Sequence, residues 1–215
     1  MRQFSGLTLY DFQGAPSPRR VRVFLTEKGI VVPTVQVALH QGEQLEASFR
    51  AVNPRCEVPA LRLEDKTVIT EAVAICRYFE ELQPDPPLFG KTAVEKALVC
   101  MWNRRVEWLG FIPIAETLRN AHPAFKDRAL TGPVNFAQIP ELAERGRARI
   151  PLFFEELDRQ LSKHRFLAGE RFSIADISAL VCVDFAKRVE LGPDESQPHL
   201  QRWIDEVSAR PSAMA

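Results

Sequence analysis

The sequence predicts an α+β protein in which a βαβ-ββα domain over residues 1–83 is joined by a linker at 84–92 to an all-helical domain over 93–215. Three observations carry this. Strand-like alternation and helical periodicity take turns as far as residue 83. The stretch QPDPPLFGKT then interrupts both with three prolines in ten residues. Beyond it nearly every segment has helical period, and no convincing strand follows.

In the first domain LTLYDF, residues 7–12, alternates apolar and polar as a half-buried strand does. A helix follows in APSPRRVRVFLTEKGI, with Val21, Phe24 and Leu25 on one face and Gly29 as its stop. Arg19, Arg22 and Lys28 are expected in solvent, and Ser17, ahead of Pro18, is either the helix cap or an active hydroxyl. VVPTVQVAL reads as a second strand, parallel to the first because a short crossover helix joins them. VPALRL and KTVIT flank turn residues and form an antiparallel hairpin, and EAVAICRYFEEL closes the domain as a helix.

In the second domain, AVEKALVCMWNRRVEWLGFIPIAETL is one long helix with a bend expected near Pro113, and IPELAERGRARIPLFFEELDRQLSKH is another with a bend or break at Pro151. The basic RGRAR within it reads as a solvated face paired to neighbouring glutamates of the same helix, not as a nucleic-acid site. FSIADISALVCVDFA places Ser173 and Asp176 three apart before an apolar run, a capping box opening a core helix.

Composition excludes several functions. The 28 basic and 28 acidic residues cancel, so long-range attraction to nucleic acid is not expected. No apolar run is long enough to span a membrane, and the start lacks a signal-peptide core, so the expected location is cytoplasmic. The four cysteines form no CxxC pair, and Cys76, Cys100 and Cys182 read as core residues. The four histidines are dispersed, and no metal is expected.

Three stretches in order, NPRCEVPAL at 53–61, TEAVAICRYFEE at 70–81 and LAGERFSIADI at 167–177, resemble motifs of the cytosolic glutathione transferases, and the resemblance spans nearly the whole chain. It implies a thioredoxin-like first domain that binds glutathione as co-substrate, a helical domain with an apolar electrophile site, and a homodimer. The implied glutathione contacts are Gln44, Glu57, Val58, Pro59, Glu71 and Ala72: Pro59 as a cis-proline presenting the Val58 backbone, and Glu71 holding the γ-glutamyl ammonium. The implied apolar site is Phe12, Trp108, Phe111 and Ile112. Ala72 stands where the family usually has serine, Cys56 where it has glycine, and Gln41 and Gln44 where lysine or histidine is common.

The resemblance also requires that the glutathione thiol be ionised. Lowering a thiol pKa by about two units needs roughly 2.7 kcal/mol. A helix N-terminus supplies about 0.3–1 and a hydrogen bond to a charged group about 1.5–3, so a donor is needed beside the dipole. The usual serine position is filled by Ala15. Ser17, Tyr10 and the backbone amides of residues 14–18 are the candidates. WNRRVEW and HPAFKDRAL resemble an atypical fungal and bacterial subgroup that uses a water held by the second domain, for which His122 would be the candidate, or merely a cap. Two alternatives to a transferase stay open: a glutathione-dependent thiol–disulfide reductase, in which Cys56 would have to reach the sulfur, and a non-catalytic scaffold of the same fold.

Overall fold

The computed structural model describes residues 2–215 and divides into two compact units. The first runs to Pro86 and takes in Thr131–Val134 and Ala215; the second holds Pro87–Leu130 and Asn135–Met214.

The first unit is built on a four-stranded sheet of order β4-β2-β5-β6, formed by β2 (Thr8–Asp11), β4 (Thr34–Gln36), β5 (Ala60–Arg62) and β6 (Val68–Thr70). Strands β2 and β4 are parallel and joined through α1 (Pro16–Lys28), while β5 pairs antiparallel with both β2 and β6. The segment 31–39 is not one strand. It divides around Val32 and Pro33 into β3 (Ile30–Val31), which pairs with β1 (Arg2–Gln3), and β4. A proline has no N–H for a ladder, which suits it to that junction. Helices α1 and α3 (Ala72–Leu82) pack together, and α2 (Ala47–Arg50) brings Phe49 into a cluster with Tyr10, Val37 and Ala60.

Two side chains of α1 depart from the solvent-facing reading. Lys28 is buried: its Nζ meets Glu80 at 2.5 Å and donates to the carbonyls of Gln83, Pro84 and Pro86. A buried ammonium is tolerable only when so completely paired. Arg22 turns inward to Asp11 at 2.7 Å. Gly29, at φ 61°, ends the helix in the left-handed conformation and returns its N–H to Leu25 and Thr26.

The second unit is helical, with α4 (Ala93–Arg105), α5 (Ile112–Ala121), α6 (Pro140–Leu161), α7 (Ile174–Ala186) and α8 (Pro198–Ser208). Between α4 and α5 the chain keeps turning as a π-helical segment, Val106–Phe111, just before Pro113. Proline cannot donate to the carbonyl four residues earlier, and a local π turn accommodates that loss. The irregularity therefore precedes Pro113. Pro151 produces no break, for α6 is helical throughout. Gly146 in RGRAR is buried where a Cβ would fall 2.6 Å from Pro113 O and 2.7 Å from Thr117 Oγ1, so glycine is what allows α5 and α6 to approach. Arg145 and Arg149 pair with Glu116 of α5 rather than with glutamates of their own helix.

Helix α7 is buried almost all round and opens with the capping box. Asp176 accepts from Ser173 N and Oγ, from Leu167 N and from the Trp203 indole, all at 2.9–3.0 Å. Burial pushes its carboxyl up to about 6 against those hydrogen bonds, which act in the opposite sense. Cys76 and Cys182 lie in the core, but Cys100 is exposed, because α4 turns Val99, Trp102 and Asn103 inward and leaves position 100 outside.

Candidate functional site

The register of the sheet gathers the first unit's candidate residues at one end. Ala60 lies opposite Tyr10 on one side and Thr70 on the other. One residue further, Pro59 therefore stands between Asp11 and Glu71, while Gln36 pairs with Asp11 across the parallel strand. Helices α1 and α3 both begin at this end, after β2 and β6.

Neither helix start is capped by a side chain, and neither has an acidic residue in its first turn. Their N-terminal amides and dipoles are thus open to an anion. On α3, Glu71 occupies the N-cap position with φ 70° and ψ 123°, a region non-glycine residues seldom adopt, and its side chain is exposed. Ala72 follows, buried, at the first helical position. The Val58–Pro59 peptide is cis, and within the described chain the Val58 N–H and C=O have no hydrogen-bond partner.

On α1 the N-cap is Ala15 and the first helical residue is Pro16, so Ser17 is not the cap. The reason lies in the two prolines. Pro16, with its fixed φ, already suits the first helical position, which puts Ser17 second. Pro16 and Pro18 have no N–H, and Arg19 N donates back to Ala15 O at 3.4 Å. Ser17 N–H is left as the first-turn amide that meets no acceptor among the described residues. Tyr10 packs edge to face on Phe49 within the buried cluster.

The turn after β4 adds Gln44, half-buried, whose Oε1 is buried without a partner, and His40, whose ring lies 6.0 Å from that of Phe12. Glu57 is held by Arg55 at 3.3 Å and by the Thr131 hydroxyl, and its C=O accepts from the buried Asn53 amide at 2.8 Å. Cys56 sits at φ 57°, which accounts for the family's glycine there, and its thiol is buried beside Pro54 O at 3.6 Å.

In the helical unit Trp108 is exposed, with Arg104 5.2 Å over its ring, while Phe111 and Ile112 are half-buried and Phe111 faces Phe185 at 6.2 Å. His122 is exposed at the far end of α5, about 15 Å along the helix from Ile112. Its Nδ1 accepts from Ala124 N at 3.2 Å, so it caps the following turn. Among the described residues no group of three or more His, Cys, Asp or Glu side chains could hold a metal ion, and no helix is long and apolar enough to cross a membrane.

One network escaped the sequence reading. Asp11, 1% exposed, is bound by Arg22 Nη1 at 2.7 Å and Gln36 Nε2 at 2.9 Å, and the same two side chains hold the Gln13 backbone. An aspartate ending a strand is common, and only the fold brings its partners to it.

Two family models cover most of the chain: glutathione S-transferase N-terminal domain over residues 15–82 and C-terminal domain over 91–211. Glutathione S-transferase 2 of Saccharomyces cerevisiae is 34% identical over 209 residues, covering 96% of this chain and 87% of that protein. Among solved structures, a glutathione S-transferase domain-containing protein of Marinobacter aquaeolei superposes with a TM-score of 0.89 at 32% identity, covering 96% of this chain and 99% of that one. Gtt2 of Saccharomyces cerevisiae does so with 0.87 at 33% identity, covering 96% and 98%. With its two domain matches, this extent of likeness and a thioredoxin-like sheet followed by helices, the chain belongs to the cytosolic glutathione S-transferase superfamily, alongside the Gtt2-like fungal and bacterial members.

Proposed function

We propose that this protein is a glutathione transferase that presents the glutathione thiolate to a small hydrophobic electrophile. The observation that carries the reading is the meeting, at one end of the sheet, of two uncapped helix starts with the unpaired Val58 backbone. Glutathione has complementary parts: a carboxylate and ammonium at one end, a peptide backbone in the middle, and a thiol.

In this reading the γ-glutamyl carboxylate binds the amides that open α3, and Glu71 takes the ammonium. Val58 pairs with the cysteinyl backbone as an added strand, with Pro59 holding it at the sheet end. Gln44, with its unpartnered Oε1, and Glu57, which orders the 53–58 turn, complete the contacts. Ser17 N–H donates to the sulfur at the positive end of α1. Together a charged hydrogen bond of about 1.5–3 kcal/mol and a dipole of about 0.3–1 reach the roughly 2.7 needed for a two-unit shift. The thiol proton leaves to solvent, the sulfur lone pair forms the new S–C bond, and any leaving group departs with the electrons of the bond it breaks. The helical unit offers the apolar surface of Trp108, Phe111 and Ile112 to the electrophile. A reductase would need a protein thiolate at the sulfur, and the buried placement of Cys56 speaks against it. The working form is taken to be a homodimer; the exposed Val94, Leu98 and Met101 along α4 support an apolar contact.

The test is a calorimetric titration with glutathione across neutral pH on the wild type and Glu71→Ala. Binding with proton release is expected, and Glu71→Ala should weaken it by about 1.5–3 kcal/mol. No wild-type binding at millimolar glutathione would end the transferase reading.

A further inference from the structure

We propose that Asp11, Arg22 and Gln36 form a positioning relay that sets the loop leading into α1, and thereby the reactivity rather than the affinity of bound glutathione. The inference rests on the glutathione reading above, which uses Ser17 N–H at the end of that loop.

The geometry is specific. Gln13 is an exposed residue between strand and helix, a place where a backbone ordinarily hydrogen-bonds to water. Here Gln13 N–H donates to Gln36 Oε1 at 2.9 Å, and Gln13 C=O accepts from Arg22 Nη2 at 3.1 Å. Both of these side chains end on one carboxylate, with Arg22 Nη1 on Asp11 Oδ1 at 2.7 Å and Gln36 Nε2 on Oδ2 at 2.9 Å. Asp11 is anchored in turn by the strand, its C=O accepting from Val37 N at 2.7 Å. The peptide groups four residues before Ser17 are therefore fixed to the sheet through three side chains.

The chemistry allows one polarity. Gln36 must point its NH2 at the carboxylate and its oxygen at the Gln13 N–H, so the amide cannot flip without setting donor against donor. The Asp11–Arg22 pair carries no net charge, so what it delivers to the loop is position, not field. Burying a carboxylate to 1% exposure is costly unless it is paired, and a strand end does not require one. Loss of position matters because a displacement of about 1 Å at a reacting group can cost on the order of a hundredfold in rate.

Asp11→Asn tests this, since it keeps the shape but turns an NH2 toward the donors of Gln36 or Arg22. The double variant Asp11→Asn/Gln36→Glu restores every hydrogen bond at the same total charge, reversing only the one between residues 11 and 36, where the new amide NH2 at position 11 donates to the carboxylate introduced at position 36. Gln36→Ala, at an exposed position, releases the Gln13 N–H while leaving the ion pair intact, and so serves even where Asp11→Asn folds poorly. Each protein is examined for glutathione affinity by calorimetry, for thiolate formation by the ultraviolet absorbance of bound glutathione, and for kcat with an activated aryl chloride.

The expected result is a roughly ten- to hundredfold fall in kcat, with weaker thiolate absorbance at neutral pH, in Asp11→Asn and Gln36→Ala, while glutathione affinity stays within about threefold. The double variant should regain most of the loss. Wild-type kcat and thiolate absorbance in Gln36→Ala, or a folded double variant no better than Asp11→Asn, would overturn the relay while leaving the glutathione site standing. Absence of glutathione binding by the wild type would instead remove the reading on which the relay rests.

Discussion

Two buried aspartates, one in each unit, show how the same side chain serves different ends. Asp176 is 0% exposed and surrounded by neutral donors from three places in the chain: Leu167, Ser173 and Trp203. Asp11 is 1% exposed and faces one cation and one amide, both of which reach past it to the Gln13 backbone. The first closes on itself, knitting the start of α7 to α8 and to the 166–169 turn. The second passes its order outward to a loop. A buried carboxylate whose donors belong to its own cluster holds the fold, whereas one whose donors also bind a neighbouring loop can hold a site.

That contrast is broken most severely by Asp176→Ala. Four donors lose their acceptor inside the helical core, and the expected destabilisation is about 3–5 kcal/mol in chemical denaturation. A cost under about 1 kcal/mol would mean that water replaces the carboxylate and that the cluster is not the knot described.

The pH dependence sharpens it next. Burial raises the Asp176 carboxyl to about 6 from its ordinary 3.8, so the folded protein binds this proton more tightly than the unfolded chain. Stability from this group is therefore complete below about pH 4 and declines as pH rises toward and through about 6. A two-unit shift corresponds to roughly 3 kcal/mol. The stability of wild type relative to Asp176→Asn should fall by that order between about pH 4 and 7. A flat difference would show that the hydrogen bonds offset the burial.

Arg22→Lys probes the other aspartate more gently. A lysine keeps the charge beside Asp11 but has no second fork to reach Gln13 C=O. The expected loss of stability is about 0.5–1.5 kcal/mol, well below that of Asp176→Ala. Equal losses would erase the distinction between the two carboxylates.

The same comparison explains what could be read in the sequence. Ser173 and Asp176 are three residues apart, so their partnership is local and visible as a motif. Asp11 meets residues 22 and 36, contacts that exist only once β2 and β4 lie side by side around α1. The burial of Lys28 is hidden from the sequence for the same reason, because its carbonyl partners lie more than fifty residues on. The succession of strands and helices, the hairpin and the helical second unit follow from periodicity and turn residues, which are local properties, whereas the strand order β4-β2-β5-β6 is seen only in the fold. Pro59 and Glu71 were legible only through resemblance; periodicity does not show that they end neighbouring strands. Only the capping role expected of Ser17 is lost, to a local competition, since either Pro16 or Pro18 suits the first helical position and Pro16 takes it.

The smallest expected effect belongs to Ser17→Ala. The substitution removes the hydroxyl and keeps the N–H, and alanine is a better helix former than serine at a position that is no longer the cap. If the amide is the donor to the sulfur, kcat and the thiolate absorbance of bound glutathione should change by less than about threefold, or roughly 0.6 kcal/mol. A fall of about a hundredfold would assign the role to the hydroxyl instead, as expected when a hydrogen bond made to developing charge is removed. In that case the relay through Asp11 would still set the position of residue 17, but the group it positions would be a side chain with a rotamer of its own. The Gln36→Ala effect would then be partly hidden, because a rotating hydroxyl can follow the sulfur where a main-chain N–H cannot. A small Ser17→Ala effect beside a large Gln36→Ala effect is thus the pair of results that the uncapped, twice-proline-blocked start of α1 requires.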